Sequence, residues 1–193
     1  MKNVLVFIAD GSEEVEAFSP IDYLRRAGLS VSVVAVGTAS RTVTMSHKVS
    51  VNADITLESY LSSAADSLPD AVVVPGGMPG AANIAASKSA VALLEACCKA
   101  GKLVCAICAS PALVLSKTSA LEGKSWTCYP GMEGELDCEE ALPRQTVVSG
   151  KVITGRGPGA AADFGFEILA ALKGRETAEK VRRAMCYAEG AQA

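Results

Sequence analysis

Short runs rich in Val and Ile recur along the chain, each followed by a longer Ala-, Leu-, Glu- and Lys-rich stretch, and this alternation constrains the fold more than any other feature. Parallel strands need a long crossover between them, and a helix is the usual one, so the pattern specifies helices packed on a mostly parallel sheet. The runs that read as strands are Asn3–Ala9, Ser30–Val36, Ala71–Val74, Leu103–Ala106, Gln145–Val148 and Val152–Thr154. The first four are apolar on both faces, as central parallel strands are. Glu13–Ala27, Lys88–Ala100, Ala109–Leu115, Gly159–Leu172 and Thr177–Ala188 read as helices. Ser19-Pro20 interrupts the first: either the serine caps a restarted helix or the proline kinks it. Gly101 is a C-terminal stop for Lys88–Ala100. Thr42–Val51 alternates in the manner of a hairpin or edge strands outside the parallel core.

The whole chain, residues 1–193, reads as one domain, with no repeat, linker or low-complexity tract. Half of the residues are hydrophobic, enough for a substantial core. A net charge of −3 leaves no basic surface that would make nucleic acid or an anionic membrane the main partner, which points to small molecules or proteins. The apolar run Val4–Ala9 ends at Asp10-Gly11 and reads as a buried strand rather than as part of a signal peptide. No run approaches the ~18 apolar residues of a membrane span. Seven cysteines without framework-like spacing suit a reducing, cytoplasmic setting and free thiols.

The segment from Lys102 to Leu115 is a buried strand running into a helix with almost no loop, so Cys108 occupies the tight turn, the geometry of a nucleophile elbow. A helix N-terminus there favours thiolate, the attacking form. The plainer alternative is one more buried cysteine. A redox pair with Cys105 is the sharper rival. Strand residues three apart point to opposite faces ~10 Å from each other, beyond the ~7 Å reach of a disulfide, so Cys105 reads as core.

Three further segments join the strand ends. Asp10–Glu16 opens the first helix: Glu13 and Glu14 suit the helix dipole, whereas Glu16 lies deeper and could turn toward the carboxyl ends of the strands, where open parallel sheets place their sites. Pro75–Gly80 follows a strand, and its glycines serve either a plain turn or close approach to a ligand with N–H donors for an oxyanion. Thr154–Gly159 lacks the Gly-Lys-Ser/Thr of a P-loop and reads as a turn at the same edge, with Arg156 as an anion contact. No metal is expected. The single histidine, His47, has no partner at ligand spacing and no evident route to Cys108, and Cys97, Cys98, Cys128, Cys138 and Cys186 read as structural thiols.

Gly11–Glu16, Asp22–Gly28, Val74–Ala81, Ala106–Ala112 and Thr154–Gly159 together resemble the DJ-1/ThiJ/PfpI family, in its DJ-1-like branch, in order along nearly the whole chain. The resemblance implies a flavodoxin-like three-layer sandwich, a homodimer and no cofactor. It makes Cys108 an oxidation-sensitive nucleophile and Glu16 the protonated carboxyl that hydrogen-bonds its sulfur. Gly76, Gly77 and Ala109 then line the pocket, with Arg156 at its dimer-side edge. The implied activity is a glutathione-independent glyoxalase or deglycase acting on methylglyoxal, glyoxal or their early protein adducts. The alternative is an oxidative-stress sensor or chaperone-like protective protein in which Cys108 becomes a sulfinic acid. Two departures matter. Ala109 stands where protease- or amidase-like members carry histidine, which disfavours peptide hydrolysis, and Tyr129 stands where some DJ-1-like members carry another.

Overall fold

The computed structural model describes residues 2–63, 67–134 and 141–187. Seven strands form one sheet: β1 (Asn3–Ile8), β2 (Ser30–Ala35), β5 (Ile55–Thr56), β6 (Ala71–Val74), β7 (Leu103–Ile107), β8 (Thr146–Ser149) and β9 (Val152–Gly155). Their order is β5-β2-β1-β6-β7-β9-β8. All pairings are parallel except β8 with β9, with Val4 beside both Val31 and Ala71, and Cys105 beside both Val73 and Ile153. β3 (Thr42–Thr44) and β4 (Ser50–Asn52) form a separate antiparallel pair, the expected hairpin.

Among the described residues seven helices flank the sheet: α1 (Glu14–Arg26), α2 (Leu57–Ser63), α3 (Gly80–Ala86), α4 (Lys88–Lys99), α5 (Ser110–Leu113), α6 (Ala161–Lys173) and α7 (Arg175–Ala184). Because successive strand residues point to opposite faces, the sheet feeds two cores. Val4, Val6, Ile8 and Cys105 pack against Leu24 of α1 and Phe164 and Leu169 of α6. Leu5, Phe7, Val72 and Val104 pack against Ile84 of α3 and Leu94 of α4. Covering both faces is why these strands read as unbroken apolar runs, and the result is the expected flavodoxin-like three-layer sandwich.

Local chemistry sets the helix ends. Ser87 caps α4 by accepting the Ala90 N–H, and Gly101, at φ 65°, ends it as the sequence predicts. α1 runs without a break through Pro20, so the restart does not occur. Proline simply has no N–H to offer the Glu16 carbonyl one turn earlier. The expected helix Ala109–Leu115 is shorter: α5 covers four residues and tightens into a 3₁₀ turn at Leu115–Lys117. Of the last two strands, β8 is shifted by one residue and β9 runs one residue further; α7 starts two residues before the expected Thr177 and ends at Ala184, short of Ala188, which like Cys138 lies outside the described residues. Among the described residues no helix is long and apolar enough to cross a membrane.

Candidate active site

β7 ends at Ile107 and α5 begins at Ser110, so the chain reverses direction at Cys108, whose φ of 65° places it in the left-handed region. A non-glycine residue holds that conformation only when its surroundings fix it. Here the Cys108 N–H donates to the Gly155 carbonyl at 2.9 Å, and its carbonyl accepts the Tyr129 N–H at 2.9 Å. The buried Ser110 hydroxyl donates to the Pro75 carbonyl at 2.6 Å, tying the elbow to the loop after β6. The predicted nucleophile elbow is therefore present, with Cys108 half-buried.

Glu16, fully buried, reaches this elbow through an altered helix cap. Glu13 is the N-cap of α1, its carboxylate accepting the Glu16 N–H at 2.7 Å. In a capping box the side chain three residues on would return to the cap's own N–H. That N–H is instead taken by the Gly76 carbonyl at 3.1 Å, and the Glu16 carboxylate accepts the Gly76 N–H at 2.8 Å. One residue of the β6 loop thus bonds both glutamates. Glu16 Oε1 finds no nitrogen or oxygen donor, and the remaining partner of this carboxyl is the Cys108 thiol. Gly76 has to lack a side chain, because a Cβ there would lie 2.6 Å from Cys108 Cβ and 2.9 Å from Glu16 Oε2. Gly77, at φ 84°, and Ala109 both direct N–H groups at the sulfur. Of the two glycines expected to serve an oxyanion, Gly77 is free to do so, and Gly76 is committed to Glu16.

Burial lifts both titrating groups. Glu16 rises to about 7, through burial first and the charge of Glu13 in addition, against the hydrogen bonds from Gly76 and Cys108. The Cys108 thiol is pushed up to about 12 by burial, the Glu16 charge and the hydrogen bond with Glu16, outweighing the Gly77 and Ala109 N–H groups. This corrects the expectation that a helix terminus alone makes a free thiolate: α5 is a single turn, and its field loses to burial and a neighbouring carboxylate. The pair does not carry two negative charges near neutral pH; it passes from two protons to one through about 7.

The other expected residues are placed less directly. Tyr129 joins the site through its backbone, while its half-exposed ring lies over Gly157, where a Cβ would come within 3.4 Å of it. Arg156 is near in sequence to Gly155, but its hydrogen bond to the Gln145 carbonyl is made by the backbone N–H, and no described contact brings its guanidinium to Cys108. Cys105 is a free, fully buried thiol, as expected of core. Strand alternation stops at Ile107, however, and the left-handed turn lets Cys108 touch the same core cluster, so the opposite-face argument does not extend to it.

His47 turns away to Glu14, its Nδ1 at 2.8 Å from Oε2. Contrary to its isolation in sequence, it stands with Glu13 and Glu14 as three possible metal ligands whose donor atoms lie within 4.8 Å of one another. Both carboxylates are already engaged, by the Glu16 N–H and by Ser46 and His47. Sequence reasoning also passed over Ser110, and it read Glu13 as complementing the helix dipole rather than as the cap. The spacing Glu13-x-x-Glu16 before a helix was the signal for the cap.

The DJ-1/PfpI family model matches residues 2–171. The chain is 39% identical to protein DJ-1 homolog B of Arabidopsis thaliana over 181 residues, 94% of this chain and 40% of that protein, so it spans less than half the length of that relative. It is 35% identical to Drosophila melanogaster protein dj-1beta, covering 97% of this chain and 98% of that one. The Caenorhabditis elegans glutathione-independent glyoxalase DJR-1.2 is 27% identical, with 97% and 98% covered. A solved structure of oxidized Toxoplasma gondii DJ-1 superposes with a TM-score of 0.91 at 36% identity, covering 98% of this chain and 100% of that chain. With the elbow cysteine, the buried glutamate and the glycine loop in one place, the chain belongs to the DJ-1/PfpI family.

Proposed function

We propose that this protein is a cofactor-independent glyoxalase acting on methylglyoxal and related reactive carbonyls. The observation that carries the reading is the Cys108–Glu16 pair beneath the N–H groups of Gly77 and Ala109, with Glu16 raised to about 7. Its similarity to DJR-1.2, a glutathione-independent glyoxalase by name, supports the same class.

Cys108 Sγ adds to the aldehyde carbon while its proton passes through Glu16 to the aldehyde oxygen, giving a hemithioacetal. The Gly77 and Ala109 N–H groups stabilise the negative charge that builds on the reacting centre. Glu16 then removes the proton on that carbon and returns it to the adjacent one, while the hydroxyl proton passes to the neighbouring carbonyl oxygen, converting the adduct to a lactoyl thioester. Water hydrolyses the thioester, releasing lactate and restoring the thiol. No electrons are gained or lost overall. A base with a pKa of about 7 can both take and give a proton at neutral pH. Early glyoxal adducts of amines and thiols would enter the same sequence once the hydroxyl proton passes to the departing amine or thiol and the aldehyde is regenerated. Purified protein should convert methylglyoxal to lactate without glutathione, and Cys108→Ser and Glu16→Gln should each reduce turnover at least ~100-fold. Wild-type protein that yields no lactate would remove this reading.

A second reading, redox sensing, is favoured by the same two N–H groups, which would receive the oxygens of a Cys108 sulfinate, and by similarity to a DJ-1 solved in oxidized form. It predicts that peroxide adds two oxygens at Cys108 under conditions where no carbonyl is consumed. The implied homodimer belongs to this proposal too. Half-exposed Val15, Val49 and Met78 supply apolar surface for it, and sedimentation showing only monomer at high concentration would count against it.

A further inference from the structure

At the end of the sheet opposite Cys108, where β7 and β9 begin, a cavity of about 310 Å³ opens between the end of α4 and the β8–β9 hairpin. Its walls include Val104, Ala120 and Val152, and three lysines, Lys102, Lys124 and Lys151, line it with no acidic residue among the lining side chains. This concentration of positive charge occurs in a chain whose net charge is −3. Two acids at its rim are already engaged: Asp70 holds Lys102 at 3.4 Å and accepts the Asn3 N–H, and Glu95 accepts from the lining Ser119 and pairs with Lys99. Lys102 is therefore shared, while Lys124 and Lys151 have no ion-pair partner among the described residues. The Lys124 ammonium lies over the hairpin turn, 3.6 Å from where a Cβ on Gly150 would stand. Bringing like charges together around an apolar hollow costs free energy that a bound anion would recover.

We propose that this cavity is a binding site for a small organic phosphate monoester, separate from the Cys108 site. Lysine binds phosphate as a point charge, and two lysines without an ion-pair partner among the described residues, beside a third shared with Asp70, suit a dianion better than the single charge of a carboxylate. The apolar walls call for a short hydrocarbon or aromatic body on the phosphate.

Phenyl phosphate is the probe. Titrated into the full chain at low salt, it should bind saturably with a Kd below about 1 mM and shift the Gly150 amide resonance. Lys124→Met and Lys151→Met should each weaken it about tenfold, the worth of one charge-assisted contact. Inorganic phosphate, benzoate and phenol should all bind more weakly, and raising the salt should weaken phenyl phosphate. Lys151 is exposed in a hairpin turn, so its variant keeps the test valid even if Lys124→Met disturbs folding. The proposal is overturned if no saturable Gly150 shift is seen by about 10 mM, if Lys151→Met binds like wild type, or if benzoate binds as tightly as phenyl phosphate.

Discussion

At Cys108 and Glu16 the decisive quantity is how many protons the two hold together. In the proposed mechanism the reactive state has one, whichever atom carries it, so kcat/KM for a carbonyl substrate should rise with pH through about 7 as the doubly protonated pair loses its first proton. It should fall again only as the pair is emptied toward about 12. Glu16→Gln cannot titrate, and the residual rate of that variant should lack the limb near 7; a limb that persists would assign it to another group. Gly76→Ala drives a methyl into Cys108 Cβ, so activity should be lost together with roughly 1–3 kcal/mol of stability in urea titration. Wild-type turnover in Gly76→Ala would show that the loop yields freely there.

Elements hold these residues at two junctions. The Ser110–Pro75 hydrogen bond locks α5 to the loop after β6, and Ser110→Ala leaves a buried carbonyl unpaired, a cost of about 1–3 kcal/mol measurable by denaturant unfolding. Glu14 and His47 tie α1 to the β3–β4 hairpin. Burial pushes Glu14 up, but hydrogen bonds from His47 and Ser46 bring it down to about 2, so its contribution is present above pH 4.5 and fades as pH falls toward 2. His47 is raised by Glu14, so its share is complete below pH 6.5 and is lost as pH climbs through the raised value. The destabilisation caused by Glu14→Gln should thus be largest between about pH 4.5 and 6.5. A penalty that does not vary from pH 3 to 8 would mean the link is not ionic.

These junctions also explain what the sequence could and could not reveal. Cys108 was legible because a strand meeting a helix leaves one turn position, whereas the orientation of Glu16 depends on which partner takes the Glu13 N–H, Gly76 being far away in sequence. The short β5, α2 and α3 carry too few residues to show a period. The fate of His47 was hidden for the same reason as that of Glu16: its neighbours are more than thirty residues away.

For the molecule as a whole, burying Glu16 trades stability for chemistry. Its pKa rises from 4.5 to about 7 on folding, so the native state keeps a proton that the unfolded chain has already released. Stability should therefore decline as pH rises from about 4.5 to 7, by an amount on the order of 3 kcal/mol. Glu16→Gln should abolish that slope and unfold at a higher temperature than wild type at pH 8; a lower melting temperature there would contradict a destabilising carboxylate. The hydrogen bonds that bend the chain at Cys108 have a temporal consequence. They come from Gly155 and Tyr129, and the partners of the sulfur come from the first helix and from the loop after β6. A growing chain holds the cysteine before Tyr129 and Gly155 have been added, and an unfolded chain gathers none of these groups around it, so in either the thiol is an ordinary one. The reactivity proposed for it would switch on late, when distant parts of the polypeptide close around it, so the rate at which refolding protein gains that reactivity should time the final act of assembly.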